Sequence, residues 1–295
     1  MNIGFVGFGE AASAIAAGLR QAGAGDMMAY DAAPVEAWKS RAERLGVVPA
    51  ESLADVAAAC DVIFSLVTAQ AAVPVAQEAA PHLRENALYA DFNSCSPSVK
   101  RAVGDIVKGV RPSVRYAAVA VMSAVKPLGH RVPLVVDGDG ASALAALLRP
   151  YGCQVEVLQG EVGGAALLKM CRSAVLKGLE ALFLEALSAA ETMGLTERVL
   201  DSLDASFPAH RLRELAMYLI ERNREHAKRR AHELSEVSET LRSIGFEPAV
   251  AEGGYRRLAR AAEVLENLPD RPKDAKAWLQ ALADAETKRH AENGS

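Results

Sequence analysis

The chain has no long apolar run. Across its 295 residues nothing approaches the ~18–20 consecutive apolar positions that a membrane-spanning helix requires. It has no surplus of positive charge either: a formal net charge of −4 leaves no electrostatic footprint for nucleic acid or an anionic lipid surface. The four cysteines, Cys60, Cys95, Cys153 and Cys171, are scattered, with no C-x-x-C pair and no metal-ligand spacing. This argues against a bound metal ion and for a reducing, cytoplasmic setting. The first residues lack the basic stretch and cleavage site of a secretory signal. What remains is an ordinary globular composition, 51% hydrophobic and 24% charged, long enough for two domains.

What is present begins at once. Asn2-Ile3-Gly4-Phe5-Val6 reads as a short buried strand and runs into Gly7-Phe8-Gly9-Glu10-Ala11-Ala12, a G-x-G-x-x-A at a strand-to-helix turn. That pattern binds the pyrophosphate of a dinucleotide. Gly7 permits the tight turn, Gly9 removes a side chain from the phosphate's path, and Ala12 lets the helix pack on the strand. The helix N-terminus offers free N–H groups to the anion. In an alanine-rich chain the pattern alone is weak, and a glycine turn in some other α/β protein is the plain alternative. The strand before it and the helical run Ala11–Ala22 after it supply the required context. The residues from Gly7 to Ala12 (Gly7, Phe8, Gly9, Glu10, Ala11 and Ala12) are therefore cofactor-binding candidates.

Strand signals (2–6, 27–30, 61–67, 87–91, 115–121, 133–137 and 154–158) alternate with helical stretches (11–22, 35–45, 53–59, 71–83, 98–107 and 141–148) over the first half. Such alternation predicts a parallel, doubly wound sheet, a Rossmann-type nucleotide domain over residues 1–160. After Gly160 the pattern changes. Gly163 to Gly194 is an almost unbroken apolar run without proline, predicting a long interdomain helix at about 163–193, buried on most faces. Helical patterns at 196–201, 212–241, 249–266 and 274–287 complete an all-helical second domain, 161–295. The fold class expected is thus α/β followed by all-α.

One carboxylate indicates which dinucleotide. Asp31 ends the second strand about 20 positions beyond the glycines, where a side chain reaches the adenosine ribose. A carboxylate accepts hydrogen bonds from the 2′-hydroxyl and repels a 2′-phosphate. The nearest bases, Lys39 and Arg41, lie on the next helix, with nothing adjacent placed to welcome a phosphate. NAD is expected over NADP, with a plain turn residue at Asp31 as the alternative. Val67 and Thr68, at the end of strand 61–67, and Asn93, beyond strand 87–91, join the cofactor-binding candidates.

Three further segments stand out. Asp91-Phe92-Asn93-Ser94-Cys95-Ser96-Pro97 follows a predicted strand, so Asn93 and Ser94 stand at the sheet's carboxyl edge, where ligands bind. Their short polar side chains and backbone N–H groups suit a substrate carboxylate. Ser96 before Pro97 is also a good helix N-cap, and both readings hold together. Gly160-Glu161-Val162-Gly163-Gly164-Ala165-Ala166-Leu167-Leu168-Lys169 puts a lysine into a helix otherwise made of Ala, Leu and Met, and burying it needs a reason. A lysine snorkelling at a helix edge is the alternative. Arg172 at i+3 shares its face and Lys177 lies nearby at i+8, so like charge and burial both disfavour the ammonium. The basic run His226-Ala227-Lys228-Arg229-Arg230 leaves Arg229 and Arg230 either as anion ligands or as a solvated helix face.

With the glycine turn, these segments resemble the β-hydroxyacid dehydrogenase superfamily, which includes 3-hydroxyisobutyrate dehydrogenases and is related to 6-phosphogluconate dehydrogenase. The resemblance runs from the first strand to about residue 250. It implies a nucleotide domain and a helical domain joined by one long helix, and a homodimer whose helical domains interlock. It also implies hydride exchange between a nicotinamide and the CH–OH carbon of a small, carboxylate-bearing substrate. Asp91–Pro97 is similar to the family's D-x-S-T-x-x-P substrate loop. Lys169 stands where the family has its catalytic lysine, which takes the hydroxyl proton during oxidation and returns it during reduction. Departures are specific. The family's Ser-Gly-Gly loop appears as Met122-Ser123-Ala124, with Ser123 a substrate candidate and Met122 core packing. Arg172 and Ser173, also substrate candidates, occupy positions where asparagines usually follow the lysine. His232-Glu233-Leu234 lies where the wider family has Lys-Asp-Leu, which makes His232 a candidate beside the substrate. From Lys169 to Leu182 the chain resembles a 6-phosphogluconate dehydrogenase-like branch whose C-terminal domain has no known function. The reaction class therefore carries over better than the substrate does. Imine reduction on the same scaffold and a non-catalytic dinucleotide-binding protein are the alternatives.

Overall fold

The computed structural model describes residues 2–207 and 211–293. They form two compact units that meet in sequence between Lys169 and Met170.

The first unit is an eight-stranded sheet flanked by helices. Its strands are β1 (Ile3–Val6), β2 (Met27–Tyr30), β3 (Val48–Pro49), β4 (Val62–Ser65), β5 (Leu88–Asp91), β6 (Arg115–Val121), β7 (Leu134–Asp137) and β8 (Val155–Val157). Their order is β3-β2-β1-β4-β5-β6-β7-β8. The helices are α1 (Glu10–Gln21), α2 (Val35–Arg44), α3 (Leu53–Ala59), α4 (Ala72–Ala79), α5 (Pro97–Val110) and α6 (Ala141–Leu148). Every residue of β1, β4, β5 and β7 is buried, because helices cover both faces and no polar alternation is needed. Phe5, Phe8, Phe64, Phe92 and Trp38 pack largely edge to face on one side of the sheet. Val56, Ile63, Tyr89 and Val103 fill the other.

A sheet parallel throughout is the sequence expectation, and β7 departs from it by running antiparallel to β6. The link between these strands holds no helix beyond the single turn Gly129–Arg131, so the chain returns beside β6 without a helical crossover. The helix predicted from Ala71 to Leu83 stops at Ala79, where the turn containing Pro81 interrupts it. The two-residue β3 is too short to leave a pattern in the sequence.

The second unit is helical: the body of α7 (Gly164–Glu191), whose first turns belong to the first unit, then α8 (Thr196–Ser206), α9 (Leu212–Ser243), α10 (Ala249–Asn267) and α11 (Ala275–Asn293). Leu184, Leu187, Leu219, Leu234, Leu258, Trp278 and Leu282 form its core. Charge lies inside that core. Glu180 is fully buried and pairs with Arg230, whose Nε donates to Oε1 at 2.6 Å. Asn223 donates to the same oxygen at 3.1 Å and accepts from the Trp278 indole at 3.0 Å. Lys177 pairs with Glu233 at 3.1 Å and donates to Ser173. His226 breaks the helical geometry of α9 between Asn223 and Arg230 (φ −137°, ψ 27°). The expectation of a helix 163–193 buried on most faces is corrected here, since Val175 and Leu182 of α7 are 63% and 60% exposed. The helix turns Lys177 and Glu180 inward and leaves these two apolar residues outside.

Among the described residues no helix is long and apolar enough to cross a membrane. Cys60, Cys95 and Cys153 are buried and Cys171 is exposed, all as free thiols. Burial pushes the Cys60 and Cys153 thiols up to about 11.

Candidate active site

The carboxyl ends of β1, β2 and β4 open onto a cleft of about 540 Å³, lined by the glycine loop, Asp31, Val67 and Thr68. Gly7 has φ +87°, and a Cβ there would lie 2.4 Å from the Leu66 carbonyl oxygen, so this turn excludes any other residue. A Cβ on Gly9 would meet nothing within 4 Å: the space above it is open. Gly9 also caps α1 without a side chain, which leaves the helix's first N–H groups to an incoming anion. Ala11 and Ala12 line the same cleft, Ala12 buried against the sheet. These residues fit a dinucleotide pyrophosphate.

Asp31 is engaged with the loop it faces. Its Oδ2 accepts the Phe8 N–H at 2.6 Å and its Oδ1 accepts the Ala33 N–H at 2.8 Å. Phe8 therefore contributes backbone only: its ring is buried among Phe5 and Trp38, and its N–H is taken by Asp31. Of the two bases expected only on the next helix, Arg41 reaches back from α2 and donates to the Phe8 carbonyl at 2.6 Å. Sequence spacing to the ribose position gave no signal for that contact, because it depends on how α2 packs.

The loop after β5 is held from below. Asp91 is fully buried and pairs with Lys100 at 3.0 Å. Lys100, 1% exposed, also donates to the carbonyls of Asp91 (2.6 Å) and Val119 (3.3 Å), tying the ends of β5 and β6 together. The Tyr116 hydroxyl donates to Asp91 Oδ2 at 3.0 Å. Burial first, then the Asp91 charge, push that phenol well above its usual range, so it remains a donor. Asn93 is 2% exposed and faces the interior: its amide donates to Ser65 Oγ (3.0 Å) and its oxygen accepts the Val67 N–H (2.6 Å). Asn93 thus holds Val67 in the cleft wall. Ser94, next in sequence, is exposed. Ser96 caps α5 by accepting the Val99 N–H at 3.3 Å. Lys100, Asp91 and Tyr116 are functional supports that the sequence reading missed. The available signal was a lysine on the apolar face of α5 shared with Val103 and Val107.

Lys169 meets this loop. Its Nζ donates to Ser94 Oγ at 3.0 Å. The first turn of α7 is fixed by Asp137 of β7, whose Oδ2 accepts the N–H groups of Gly163 (3.1 Å) and Ala165 (2.7 Å). Lys169 itself is half-buried, and the deeply buried lysine of α7 is Lys177. Ser123 is exposed on the loop following β6, one strand over from Ser94 at the same sheet edge. Arg172, Ser173 and His232 belong to the helical unit. Arg172 is exposed, Ser173 accepts from Lys177, and the His232 ring lies 3.8 Å from Glu236.

Residues 2–92 match the family model described as NADP oxidoreductase, coenzyme F420-dependent. Residues 190–261 match a domain of unknown function, DUF1932. A conserved hypothetical protein from Sinorhizobium meliloti is 36% identical and superposes with a TM-score of 0.83, covering 96% of each chain. A conserved protein of unknown function, described as structurally similar to 3-hydroxyacid dehydrogenases, is 30% identical over 88% of this chain and 96% of its own, with a TM-score of 0.76. The 3-hydroxyisobutyrate dehydrogenase of Mycobacterium tuberculosis shares the fold at 20% identity, covering 95% of this chain and 98% of its own, with a TM-score of 0.73.

Proposed function

Since the chain belongs to the β-hydroxyacid dehydrogenase superfamily, in its branch with a C-terminal domain of unknown function, and is an NAD(P)-dependent oxidoreductase of that family, we propose that it interconverts a small hydroxy substrate and its carbonyl, using NAD. The observation that carries this reading is the Lys169 amine 3.0 Å from Ser94 Oγ, on the loop adjoining the cleft wall. The bound dinucleotide would supply hydride transfer at its nicotinamide. Gly7 and Gly9 would admit its pyrophosphate to the N-terminus of α1, and Asp31 would accept from the ribose hydroxyls. Ser94 and Ser123 offer hydroxyls for a substrate's polar end. Lys169 takes the substrate's hydroxyl proton in oxidation and returns it in reduction. Asp137 and Ser94 limit where the amine travels, so proton transfer is confined to one place. The four free thiols suit a reducing cytoplasm.

A panel of hydroxyacids and cyclic imines, offered with NAD or NADP and followed at the nicotinamide absorbance, tests this reading. Turnover of a hydroxyacid is expected, and turnover of imines alone would replace the substrate class. Lys169→Ala is expected to lower turnover by ~10²–10⁴-fold with cofactor affinity nearly unchanged, as for a removed general acid–base. Turnover within a few-fold of the parent would remove Lys169 from the chemistry.

A further inference from the structure

In the helical unit, α7, α10 and α11 surround an open cavity of about 780 Å³ that shares no lining residue with the nucleotide cleft. Small residues make it hollow: Ala189 of α7, Gly253 of α10 and Ala283 of α11. Gly253 and its neighbour Gly254 are glycine for different reasons. A Cβ on Gly254 would lie 2.9 Å from Leu234 Cδ2, so packing favours its absence, whereas a Cβ on Gly253 would meet nothing within 4 Å. Glycine in mid-helix is disfavoured relative to alanine, and at Gly253 what it gains is open space. Arg257 forms part of the cavity wall, its side chain only 11% exposed. Its Nη2 donates to the Leu184 carbonyl (3.1 Å) and to Ser188 Oγ (2.9 Å), both neutral oxygens. Its Nε is buried without a hydrogen-bond partner among the described residues. Glu286 Oε1 is 3.6 Å from Nη1, beyond hydrogen-bond range, and the same oxygen accepts from Arg260 Nε at 3.3 Å. Burial holds the Arg257 guanidinium below its usual range, and the charges of Glu286 and Glu185 do not offset it. A guanidinium withdrawn from water with no carboxylate to hydrogen-bond is costly, and an incoming oxyanion relieves that cost.

We propose that this cavity is a second ligand site, which binds a small organic acid with its carboxylate between Arg257 and Arg260 and its apolar body on Ala189, Gly253 and Ala283. The volume suits a ligand with a body, since a bare inorganic anion leaves most of it empty. A cationic ligand would face both guanidiniums, and Glu286 is already shared between them. Ser188, which accepts from Arg257, lies towards the far end of α7 from Lys169. A ligand held here touches α7, α10 and α11 at once.

Isothermal titration calorimetry of the full chain with sodium hexanoate tests the site, with hexanamide and inorganic phosphate as comparisons. Hexanoate is expected to bind with a Kd of about 1 mM or tighter, and the uncharged hexanamide roughly tenfold or more weakly. Gly253→Leu is expected to fill the cavity and weaken hexanoate by roughly tenfold or more, with helical circular dichroism intact because α10 gains a better helix former. Arg257→Gln should bring hexanoate down to the level of hexanamide. If that variant proves unstable, Gly253→Leu alone decides. Hexanoate binding left unchanged by Gly253→Leu would overturn the site, as would hexanamide binding as tightly as hexanoate. Binding of phosphate without hexanoate would overturn the organic acid as its ligand, and the absence of saturable binding by any of the three would overturn the proposal outright.

Discussion

Lys100 and Lys169 bracket the loop from Asp91 to Pro97, one beneath it and one above. Lys100 ties down Asp91 and two strand ends, while Lys169 reaches the exposed hydroxyl of Ser94. The residue proposed to carry the proton and the residue that fixes the loop are thus the same type in different surroundings. Lys169 was legible in the sequence because a lysine among Ala, Leu and Met is conspicuous. Lys100 was not, because its burial depends on Asp91, which reaches it from a strand nine residues away in sequence. Lys100→Met is expected to cost about 3–5 kcal/mol in chemical denaturation, since it leaves the Asp91 carboxylate buried without its partner. A loss below 1 kcal/mol would mean that Asp91 finds compensation elsewhere. At the other end of the cleft, Asp31→Arg is expected to weaken NAD and strengthen NADP, through one repulsion removed and one attraction added. A parent protein that already binds NADP more tightly would take that role from Asp31. Arg41 against the glycine loop is the residue to examine then.

At the scale of elements, most strands and helices fell where periodicity put them. Helices α3 and α6 match the predicted ends residue for residue, because Ser52 caps the first, and Gly140 precedes and Pro150 follows the second. The misses share a cause. The direction of β7, the two-residue β3 and the break at His226 depend on what packs alongside, which no local pattern records. The helical unit's buried charges are of this kind, and they make a pH-dependent prediction. Burial pushes the Glu233 carboxyl up, but the Lys177 ammonium and its hydrogen bond outweigh that and hold it below its usual range. Its contribution to stability is therefore present at neutral pH and lost as the pH falls through that lowered value. Burial chiefly lowers Lys177, so its charged form is the costly one. Glu233→Gln leaves that ammonium unpaired and is expected to cost roughly 1–3 kcal/mol near pH 7, less than a fully enclosed pair because Glu233 is partly exposed. The deficit should shrink as alkali deprotonates Lys177, as read by urea denaturation across pH. A deficit that grows with pH would contradict the assignment.

The whole molecule also shows where it cannot associate. The eight-stranded sheet ends in β3 on one side and β8 on the other, strands of two and three residues, and β3 closes on Pro49. An exposed strand edge is a template: its unpaired N–H and C=O groups recruit a neighbouring chain and then another, without limit. Edges this short offer too few groups to start such a ladder, and proline subtracts a donor from one of them. Growth by sheet extension into open-ended fibres is blocked at both margins. Any contact between copies is left to the helix surfaces, whose area is bounded and cannot propagate as a ladder does.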